Sequence, residues 1–268
     1  MSDQPARNPS LNPPTLAEVT VMDVERLRSM CIEQEDIPGT REMAQQKDKF
    51  RVRLLSSDST RREGASLLIE KMYSWRGYHT KKQIDEAPNR ITLVAEFDGH
   101  VYGTITVNLD SDTGLAADET YPDVMSALRG EGRKVCEFGK FAVEQSVKSK
   151  RLMGTLFHLM CIYAFRIQDC DDALIEVNPR HRSFYEKYLD FFATAEERIC
   201  QRVGAPAVLL RLTRETYRAR VDELGGRWRD LKEEKSMFKY FFPRVEEDAI
   251  AERLGASGAH LKRTHTAT

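Results

Sequence analysis

The sequence lacks a long hydrophobic run, an excess of charge of either sign and closely spaced cysteines. No apolar stretch reaches the roughly 18 residues needed to cross a bilayer, so no transmembrane helix is predicted. Lysine and arginine total 41 against 42 aspartate and glutamate, and this balance argues against a dedicated nucleic-acid-binding protein. The five cysteines include no Cys-x-x-Cys pair, and the histidines show no metal-ligand spacing. We therefore expect reduced thiols, no metal ion and, because no apolar leader is present, a cytoplasmic location.

The composition divides the chain of 268 residues into three parts, and its 41% of hydrophobic residues suffices for a sizeable core. Residues 1–46 are expected to be partly disordered: residues 1–15 are rich in proline and poor in large apolar groups, and residues 16–46 are expected to form short amphipathic helices. Residues 47–213 carry alternating strand and helix signals and form the predicted domain. Residues 214–268 are predicted to be a helical extension that Gly225-Gly226 and Pro243 interrupt.

Periodicity within the domain predicts strands that alternate with helices. Strands are predicted over 50–55, 91–97, 100–109, 134–143, 173–177, 194–199 and 207–213, and helices over 59–75, 123–128, 152–168 and 182–188. Asp98-Gly99 between two alternating runs is a strong hairpin signal, because both turn residues need positive φ. Two β-α-β passages around this hairpin predict an α/β (α+β) fold, a mixed sheet with helices on both faces.

A basic loop follows the strand at 134–143 and leads into the long apolar helix. The candidate ligands at this helix start are Lys148, Arg151, Gly154 and Thr155, with Lys150 adding charge. Free amides at a helix N-terminus bind anions, and glycine lets a ligand approach the backbone. The segment is therefore a candidate cradle for a phosphate group, and an ordinary helix start with solvated basic residues is the alternative.

The position of this cradle in the order of elements resembles the GNAT N-acyltransferase fold over roughly residues 48–213. The resemblance implies that the strand at 134–143 splays from its neighbour and that the gap holds the pantetheine arm of an acyl donor. The backbone amides expected to contact the pantetheine and the oxyanion are those of Phe141, Ala142 and Val143. Family members read Gln/Arg-x-x-Gly-x-Gly/Ala at the cradle, whereas this chain has Leu156 at the last position. This departure argues against tight wrapping of a coenzyme A pyrophosphate and favours a donor carried on acyl carrier protein.

Two segments resemble a narrower group, the long-chain N-acyl amino acid synthases. Cys136-Glu-Phe-Gly-Lys-Phe-Ala-Val143 is similar to the Glu-x-x-Arg/Lys-x-Ala-Val strand shared by these enzymes and the acyl-homoserine-lactone synthases. Val177-Asn-Pro-Arg-His-x-x-Phe-Tyr-x-x-Tyr-Leu-Asp-Phe191 is similar to the Pro-x-His-x-x-Phe-Tyr-x-x-x-Leu-Gly-Phe segment of the synthases. The second segment is the more specific, although Asp190 replaces its usual glycine.

The implied reaction is amide formation, in which an amine attacks a thioester carbonyl and needs a base, oxyanion donors and an acid. Glu137 is the candidate base, or amine-binding group, because its apolar neighbours should raise the pKa of its carboxyl. The alternative is a structural ion pair with Lys140, which is itself a candidate to hold a substrate carboxylate or orient Glu137. A regular strand points the two side chains to opposite faces, but Gly139 suggests a bulge that would bring them to one side.

Further candidates lie near the ends of helices and strands. Tyr185 occupies a helix position that often supplies the general acid in this fold, and a core tyrosine is the alternative. Arg180 is a candidate clamp for the amino-acid carboxylate and His181 a candidate substrate ligand or helix cap, because they follow a central strand. Trp75 and Arg76 resemble an arginine–aromatic cluster that covers the pantetheine and acyl chain in homoserine-lactone synthases. A core tryptophan is the alternative there.

The sequence thus predicts an N-acyltransferase that joins a long-chain fatty acyl group, from acyl carrier protein or acyl-CoA, to the amino group of an amino acid. The alternatives are an acyl-homoserine-lactone synthase, a general acetyltransferase that uses acetyl-CoA, and a non-catalytic acyl- or partner-binding module. The basic loop is the expected contact for the acidic carrier protein. The aromatic residues between 237 and 242 are expected to form either a partner or homodimer contact, or a lid packed on the domain.

Overall fold

The computed structural model describes residues 15–21, 48–55, 59–74, 87–144, 147 and 149–256. The strands are β1 (Ala17–Val21), β2 (Asp48–Leu54), β3 (Arg90–Phe97), β4 (His100–Leu109), β5 (Val135–Val143), β6 (Asp172–Val177), β7 (Phe192–Ala193), β8 (Arg198–Cys200) and β9 (Ala205–Thr213). The helices are α1 (Ser59–Ser74), α2 (Ala117–Thr120), α3 (Pro122–Gly130), α4 (Lys150–Cys161), α5 (Pro179–Leu189), α6 (Arg214–Leu224) and α7 (Arg244–Ala256). A π-helical stretch, Ile162–Ile167, continues α4, and a 3₁₀ turn covers Met237–Tyr240. No helix in these ranges is long and apolar enough to cross a bilayer.

The strands form one mixed sheet in the order β1-β2-β3-β4-β5-β6-β9-β7, with β8 paired to β9. Only the central pair β5–β6 is parallel among these neighbours. Such a pair needs a crossover connection, which α4 and its π-helical continuation supply. The predicted mixed sheet is confirmed, and so is the order of its elements from β2 to α5. The single strand predicted over 194–199 is wrong, because the structure has β7 and β8 on either side of residues 194–197.

Helices cover both faces of the sheet, as predicted. On one face α1 packs against Val94 and Ala142, and α2 and α3 pack against Leu174. On the other face α4 and α5 pack against Phe138 and Ile175. We call these the α1–α3 face and the α4–α5 face. Because β5 and β6 are central and covered on both sides, their side chains are mostly apolar, and a charged residue on them stands out.

The prediction of amphipathic helices after residue 15 is wrong for β1, which adds an edge strand antiparallel to β2. Ala17 and Val19 are buried whereas Glu18 between them is exposed, and this alternation belongs to a strand. The spacing of three between Leu16 and Val19 also fits a helix, so periodicity over so short a segment cannot decide. The sheet therefore includes residues from the part predicted as an N-terminal extension. Residues 1–14 and 22–46 of that part lie outside the described residues.

The C-terminal extension packs onto the domain. Its helices end and begin where predicted, because α6 stops before Gly225-Gly226 and α7 starts after Pro243. Met237, Phe238 and Phe241 are buried in the main core. Of the two expectations for this aromatic cluster, the lid packed on the domain is the one observed. The prediction that these buried side chains form a dimer contact is therefore wrong.

A buried polar network fastens this extension to α4. His158 Nε2 lies 2.8 Å from Glu247 Oε1, and the Tyr217 hydroxyl donates to the same oxygen at 2.6 Å. The backbone N–H of Phe242 donates to His158 Nδ1 at 2.8 Å, so the imidazole proton is on Nε2. His158 also stacks on Phe241, with ring centroids 4.5 Å apart. Three parts of the extension thus meet at one histidine of the long helix.

Candidate functional site

The central strands β5 and β6 separate part of the way along their length. They pair only from Val135–Asp172 to Phe138–Ile175. Beyond that point β5 stays with β4, and β6 stays with β9. The edge of β5 that faces β6 therefore has no strand partner among the described residues from Gly139 onward. This is the splay that the resemblance to acyltransferases implies, and we call the opening the split.

Ion pairs hold β5 and β6 together at the closed end of the split. Asp172 is fully buried at the start of β6 and accepts hydrogen bonds from Arg211 Nε at 2.8 Å and from Arg133 Nη2 at 2.9 Å. A buried carboxylate is stable only when it is paired in this way. The two arginines come from the loop before β5 and from β9, so the pairing fixes β5, β6 and β9 together while the other end opens.

A bulge lies on β5 at the edge of the split. Thr106 faces Gly139 and Thr104 faces Ala142, so Lys140 and Phe141 together stand opposite Ile105. Lys140 has φ of +47°, a left-handed conformation that costs a non-glycine residue about 1–2 kcal/mol. The bulge predicted from Gly139 is confirmed, although the left-handed residue is the lysine. Strained backbone of this kind is frequent at functional sites.

Glu137 is buried on the α1–α3 face, next to the point where the strands part. Its Oε2 accepts a hydrogen bond from the backbone N–H of Ala117 at 3.3 Å, at the start of α2. Burial raises the pKa of the Glu137 carboxyl to about 7; Arg202 acts to lower it and Glu176 to raise it. A carboxyl that titrates near neutral pH can exchange a proton with a substrate, as predicted for the base.

Glu176 and Arg202 are members of this cluster that the sequence analysis missed. Arg202 Nη2 donates to Glu176 Oε1 at 2.8 Å, and Arg202 Nε lies 3.3 Å from Glu119 Oε2. Glu176 interrupts an apolar run over 173–177 in β6, which is a signal that could have been read from the sequence. Arg202 lies in the turn between β8 and β9, and no local pattern marks it.

The aromatic candidates lie on the α4–α5 face. The ring of Phe157 on α4 is 4.7 Å from Phe141 and 6.0 Å from Tyr185, measured between centroids. Tyr185 is buried and also packs against Phe191 at 5.9 Å. The Phe157 ring thus contacts both Tyr185 and Phe141, whose backbone amide is one of the predicted donors. Glu137 and Tyr185 lie on opposite faces of the sheet, and both faces adjoin the split.

Arg180 and His181 begin α5, at the carboxyl end of β6. The helix is capped by Asn178, whose side chain accepts from the backbone N–H of Arg180 at 3.2 Å. The alternative that His181 caps this helix is therefore wrong. His181 is buried and Arg180 half-buried, and both lie where β6 has left β5. Their predicted contacts with substrate remain predictions.

The start of α4 is partly covered by the C-terminal extension. Ser149 caps the helix, and the Arg151 guanidinium lies 4.8 Å from the centre of the Trp228 ring. A β-carbon at Gly154 would lie 3.1 Å from Tyr240 Cβ and 3.4 Å from the Met237 carbonyl oxygen. Gly154 therefore makes room for the extension, and its predicted place in a phosphate cradle stays a prediction.

The remaining predicted site residues are Thr155, Trp75, Arg76 and Lys148. Thr155 is buried one residue beyond Gly154, within α4. Trp75, Arg76 and Lys148 lie outside the described residues. Within the described part of the chain, no cluster of three or more His, Cys, Asp or Glu side chains is arranged to hold a metal ion. The described cysteines, Cys136, Cys161, Cys170 and Cys200, are buried free thiols.

A mixed sheet with splayed central strands, a helix that starts at the open end and a buried glutamate beside the opening define a GNAT-like N-acyltransferase. The family model described as N-acyl amino acid synthase FeeM matches residues 64–213, more than half of the chain. The chain belongs to this family, whose activity is acyl transfer to the amino group of an amino acid. The predicted fold class and enzyme class are confirmed.

The solved structure of FeeM gives the same assignment. The chain is 27% identical to FeeM, an N-acyl amino acid synthase from uncultured soil microbes, with a TM-score of 0.59 over 64% of this chain and 94% of that one. An acyl-CoA N-acyltransferase from Pseudomonas aeruginosa has 12% identity and a TM-score of 0.44, over 60% and 98% of the two chains. The acyl-homoserine-lactone synthase LasI has 14% identity and a TM-score of 0.44, over 62% and 90%. A search of the curated proteins found no match.

Proposed function

We propose that this enzyme transfers a long-chain fatty acyl group from a pantetheine thioester to the amino group of an amino acid, with Glu137 as the base. The carrying observation is the place of Glu137: buried, beside the split, with its pKa raised by burial to about 7. In this reaction the amine nitrogen attacks the thioester carbonyl and transfers its proton to Glu137. The carbon–sulfur bond then breaks, and the thiolate leaves.

The free edge of β5 supports the proposed position of the donor. Beyond Phe138 its backbone groups make no strand pairs with β6, so an extended pantetheine arm can hydrogen-bond there as a strand would. The amides of Phe141, Ala142 and Val143 belong to this stretch. We infer that these amides donate hydrogen bonds to the developing oxyanion. We assign protonation of the leaving thiolate to Tyr185, because the Phe157 ring contacts both Tyr185 and Phe141.

Apolar side chains next to the split support the proposal that the transferred acyl group is a fatty acyl chain. Phe138, Phe141 and Phe157 form a continuous aromatic cluster with Tyr185 on the α4–α5 face. A hydrocarbon chain is stabilised by burial against such surface in proportion to its length. We therefore place the acyl chain between the split and α4.

The positive charge at the start of α4 favours acyl carrier protein as the source of the thioester. Lys150 and Arg151 belong to this helix start, and Arg229 approaches Trp228 together with Arg151, each at 4.8 Å from the ring centre. An acidic partner is attracted to a surface of this kind mainly through a faster association rate. Acyl-CoA is the competing donor, and a cytoplasmic location suits either one.

The test uses the full chain, dodecanoyl and hexadecanoyl thioesters of acyl carrier protein or of coenzyme A, and the twenty common amino acids. Mass spectrometry identifies any N-acyl amino acid formed. We expect product with one or a few amino acids, and faster turnover with the carrier protein. Glu137→Gln is expected to lower kcat about 10²–10⁴-fold, the range typical for loss of a general base.

Glu186→Gln is the matched control, because it removes a carboxylate on α5 whose ion-pair partner in the described residues is Arg182. It should retain the parent rate. Formation of acetylated amines from acetyl-CoA without any long-chain product would replace the proposed function by general acetyl transfer.

A further inference from the structure

Glu176 stands at the point where the split begins. It is the first residue of β6 beyond the last pair with β5, which joins Phe138 to Ile175. Residues two apart on a strand share a face, so Glu176 lies on the same face as Leu174. Leu174 pairs with Glu137 across the parallel ladder and packs under α2 and α3. Glu137 and Glu176 are therefore diagonal neighbours on the α1–α3 face, at the mouth of the opening.

The two oxygens of Glu176 have different surroundings. Oε1 accepts the hydrogen bond from Arg202, and the Cys200 thiol is a further neighbour of this carboxylate, whereas Oε2 is buried and makes no hydrogen bond of normal geometry in the described part of the chain. The side chain is only 8% exposed. Buried carboxylate oxygens are almost always hydrogen-bonded, because an unmade bond leaves the cost of desolvation uncompensated. An unpartnered buried oxygen beside the split therefore indicates a donor that comes with a ligand.

The surrounding charge selects the kind of donor. Arg202 is shared between Glu176 and Glu119, and Glu137 adds a third carboxyl group nearby. This surplus of carboxyl groups over the guanidinium disfavours an anion and favours a cation. A primary ammonium group supplies both the positive charge and several N–H donors.

We propose that Glu176 binds the ammonium group of the amino-acid substrate beside Glu137, at the mouth of the split on the α1–α3 face. The inference rests on the proposed function and names the residue that anchors its acceptor. Glu176 positions the ammonium group. Because an ammonium nitrogen has no lone pair, it first releases one proton to water, and the resulting amine attacks the thioester carbonyl and passes a second proton to Glu137. The two glutamates thus separate binding from proton transfer.

Glu176→Gln is the test variant, because glutamine keeps an oxygen for Arg202 and replaces the other oxygen by an NH₂ group that cannot accept from an ammonium. We expect KM for the amino acid to rise about tenfold or more, as for the loss of a charge-assisted hydrogen bond, while kcat changes less than about threefold. KM for the acyl donor should not change. Glu119→Gln is the matched control, since it removes the other carboxylate partner of Arg202 away from β6.

Equilibrium dialysis of the twenty amino acids against each variant, read by mass spectrometry, adds a binding measurement that is independent of turnover. If Glu176→Gln leaves KM and retention at the wild-type values, the inference is wrong while the proposed function stands. If both variants raise KM equally, Glu176 acts only by holding Arg202, and the inference is also wrong.

The remaining outcomes separate the two proposals. Wild-type protein that retains an amino acid without acylating it, and loses it in Glu176→Gln, would support the amine site and overturn the proposed function. Wild-type protein that neither retains nor acylates any amino acid would overturn both. If Glu176→Gln melts far below the wild type, Glu176→Asp is used as the test variant instead. Aspartate keeps the negative charge, but its shorter side chain moves the carboxylate away from the ammonium group, so the same rise in KM for the amino acid is expected.

Discussion

Leu156 on α4 and Gly103 on β4 occupy complementary space. A β-carbon at Gly103 would lie 3.1 Å from Leu156 Cδ1 and 3.3 Å from Ala95 Cβ. Leu156 therefore packs against the sheet, and the absence of a side chain at Gly103 makes room for it. The sequence comparison took Leu156 as an obstacle to a coenzyme A pyrophosphate, but the leucine faces β4 instead. The donor preference must then rest on the charge around α4.

Gly103→Ala is expected to destabilise the protein by about 1–3 kcal/mol, because an added methyl group overpacks a tight contact. Leu156→Ala is expected to cost about 2–5 kcal/mol by leaving a cavity. The double variant should be more stable than the sum of the two effects, since the smaller side chain relieves the clash. Urea unfolding of the four proteins checks this, and strict additivity would contradict the contact.

Gly154→Ala separates packing from ligand binding at the start of α4. The added β-carbon would meet Tyr240 and Met237, so we expect a loss of about 1–3 kcal/mol in stability with KM for the donor nearly unchanged. Gly130→Ala is the control, because nothing lies within 4 Å of a β-carbon there. If Gly154→Ala instead raises KM for the donor without changing stability, Gly154 contributes to a binding site for the donor.

The acid–base behaviour of Glu137 predicts how activity depends on pH. Its pKa is raised from 4.5 to about 7, chiefly by burial, and the base is active only as the carboxylate. We therefore expect kcat/KM to rise with pH through a midpoint near 7. The same shift weakens the fold as pH rises from 4.5 to about 7, because the unfolded carboxyl ionises first.

A flat kcat/KM profile between pH 5 and about 8 would argue against Glu137 as the base, since a general base near its pKa imposes this slope. Glu137→Gln supplies the control for stability. Between pH 4.5 and about 7 its unfolding free energy should fall less, or rise more, with pH than that of the wild type.

The network around His158 predicts the opposite dependence of stability on pH. Burial lowers the pKa of His158, and the pKa of Glu247 is also lowered, because hydrogen bonds from His158 and Tyr217 outweigh the opposing effect of its burial. Both groups bind protons more readily when unfolded, so their contribution to stability is lost as pH falls below about 6.5 for the histidine and 4.5 for the glutamate.

Glu247→Gln is expected to cost about 1.5–3 kcal/mol, because it weakens the hydrogen bonds that His158, Tyr217 and Arg166 make to a charged carboxylate. Asp248→Asn is the control, since Asp248 pairs with the same arginine but is largely exposed. Thermal unfolding at pH 7 compares the two variants. Equal melting temperatures would show that the network does not fasten the extension.

Local signals in the sequence were sufficient for much of the fold. Asp98-Gly99 forms the predicted turn, with φ of +47° and +75°, because few residues adopt such angles easily. Gly225-Gly226 and Pro243 mark the ends of helices for a similarly local reason. The resemblance segments also located Glu137 and Tyr185, since each belongs to one short stretch of chain, whereas the split was implied by the resemblance to the whole fold.

The strand assignment of β1 and the fit between Gly154 and Tyr240 depend on partners distant in sequence. β1 is a strand because β2 offers it hydrogen bonds, and no pattern within five residues contains that information. Likewise, a glycine in a helix suggests that a ligand can approach the backbone there, and the sequence does not show that a distant segment packs against it.

The sequence by itself determined that the chain forms a mixed α/β acyltransferase fold with a glutamate on its central strand, because periodicity, turn residues and motif are properties of neighbouring residues. Only the tertiary structure decided what surrounds that glutamate. Glu176 and Arg202 reach it from β6 and from the turn after β8, and burial among them sets its pKa near 7. Charge interactions act through space, so they become visible only when the chain has folded.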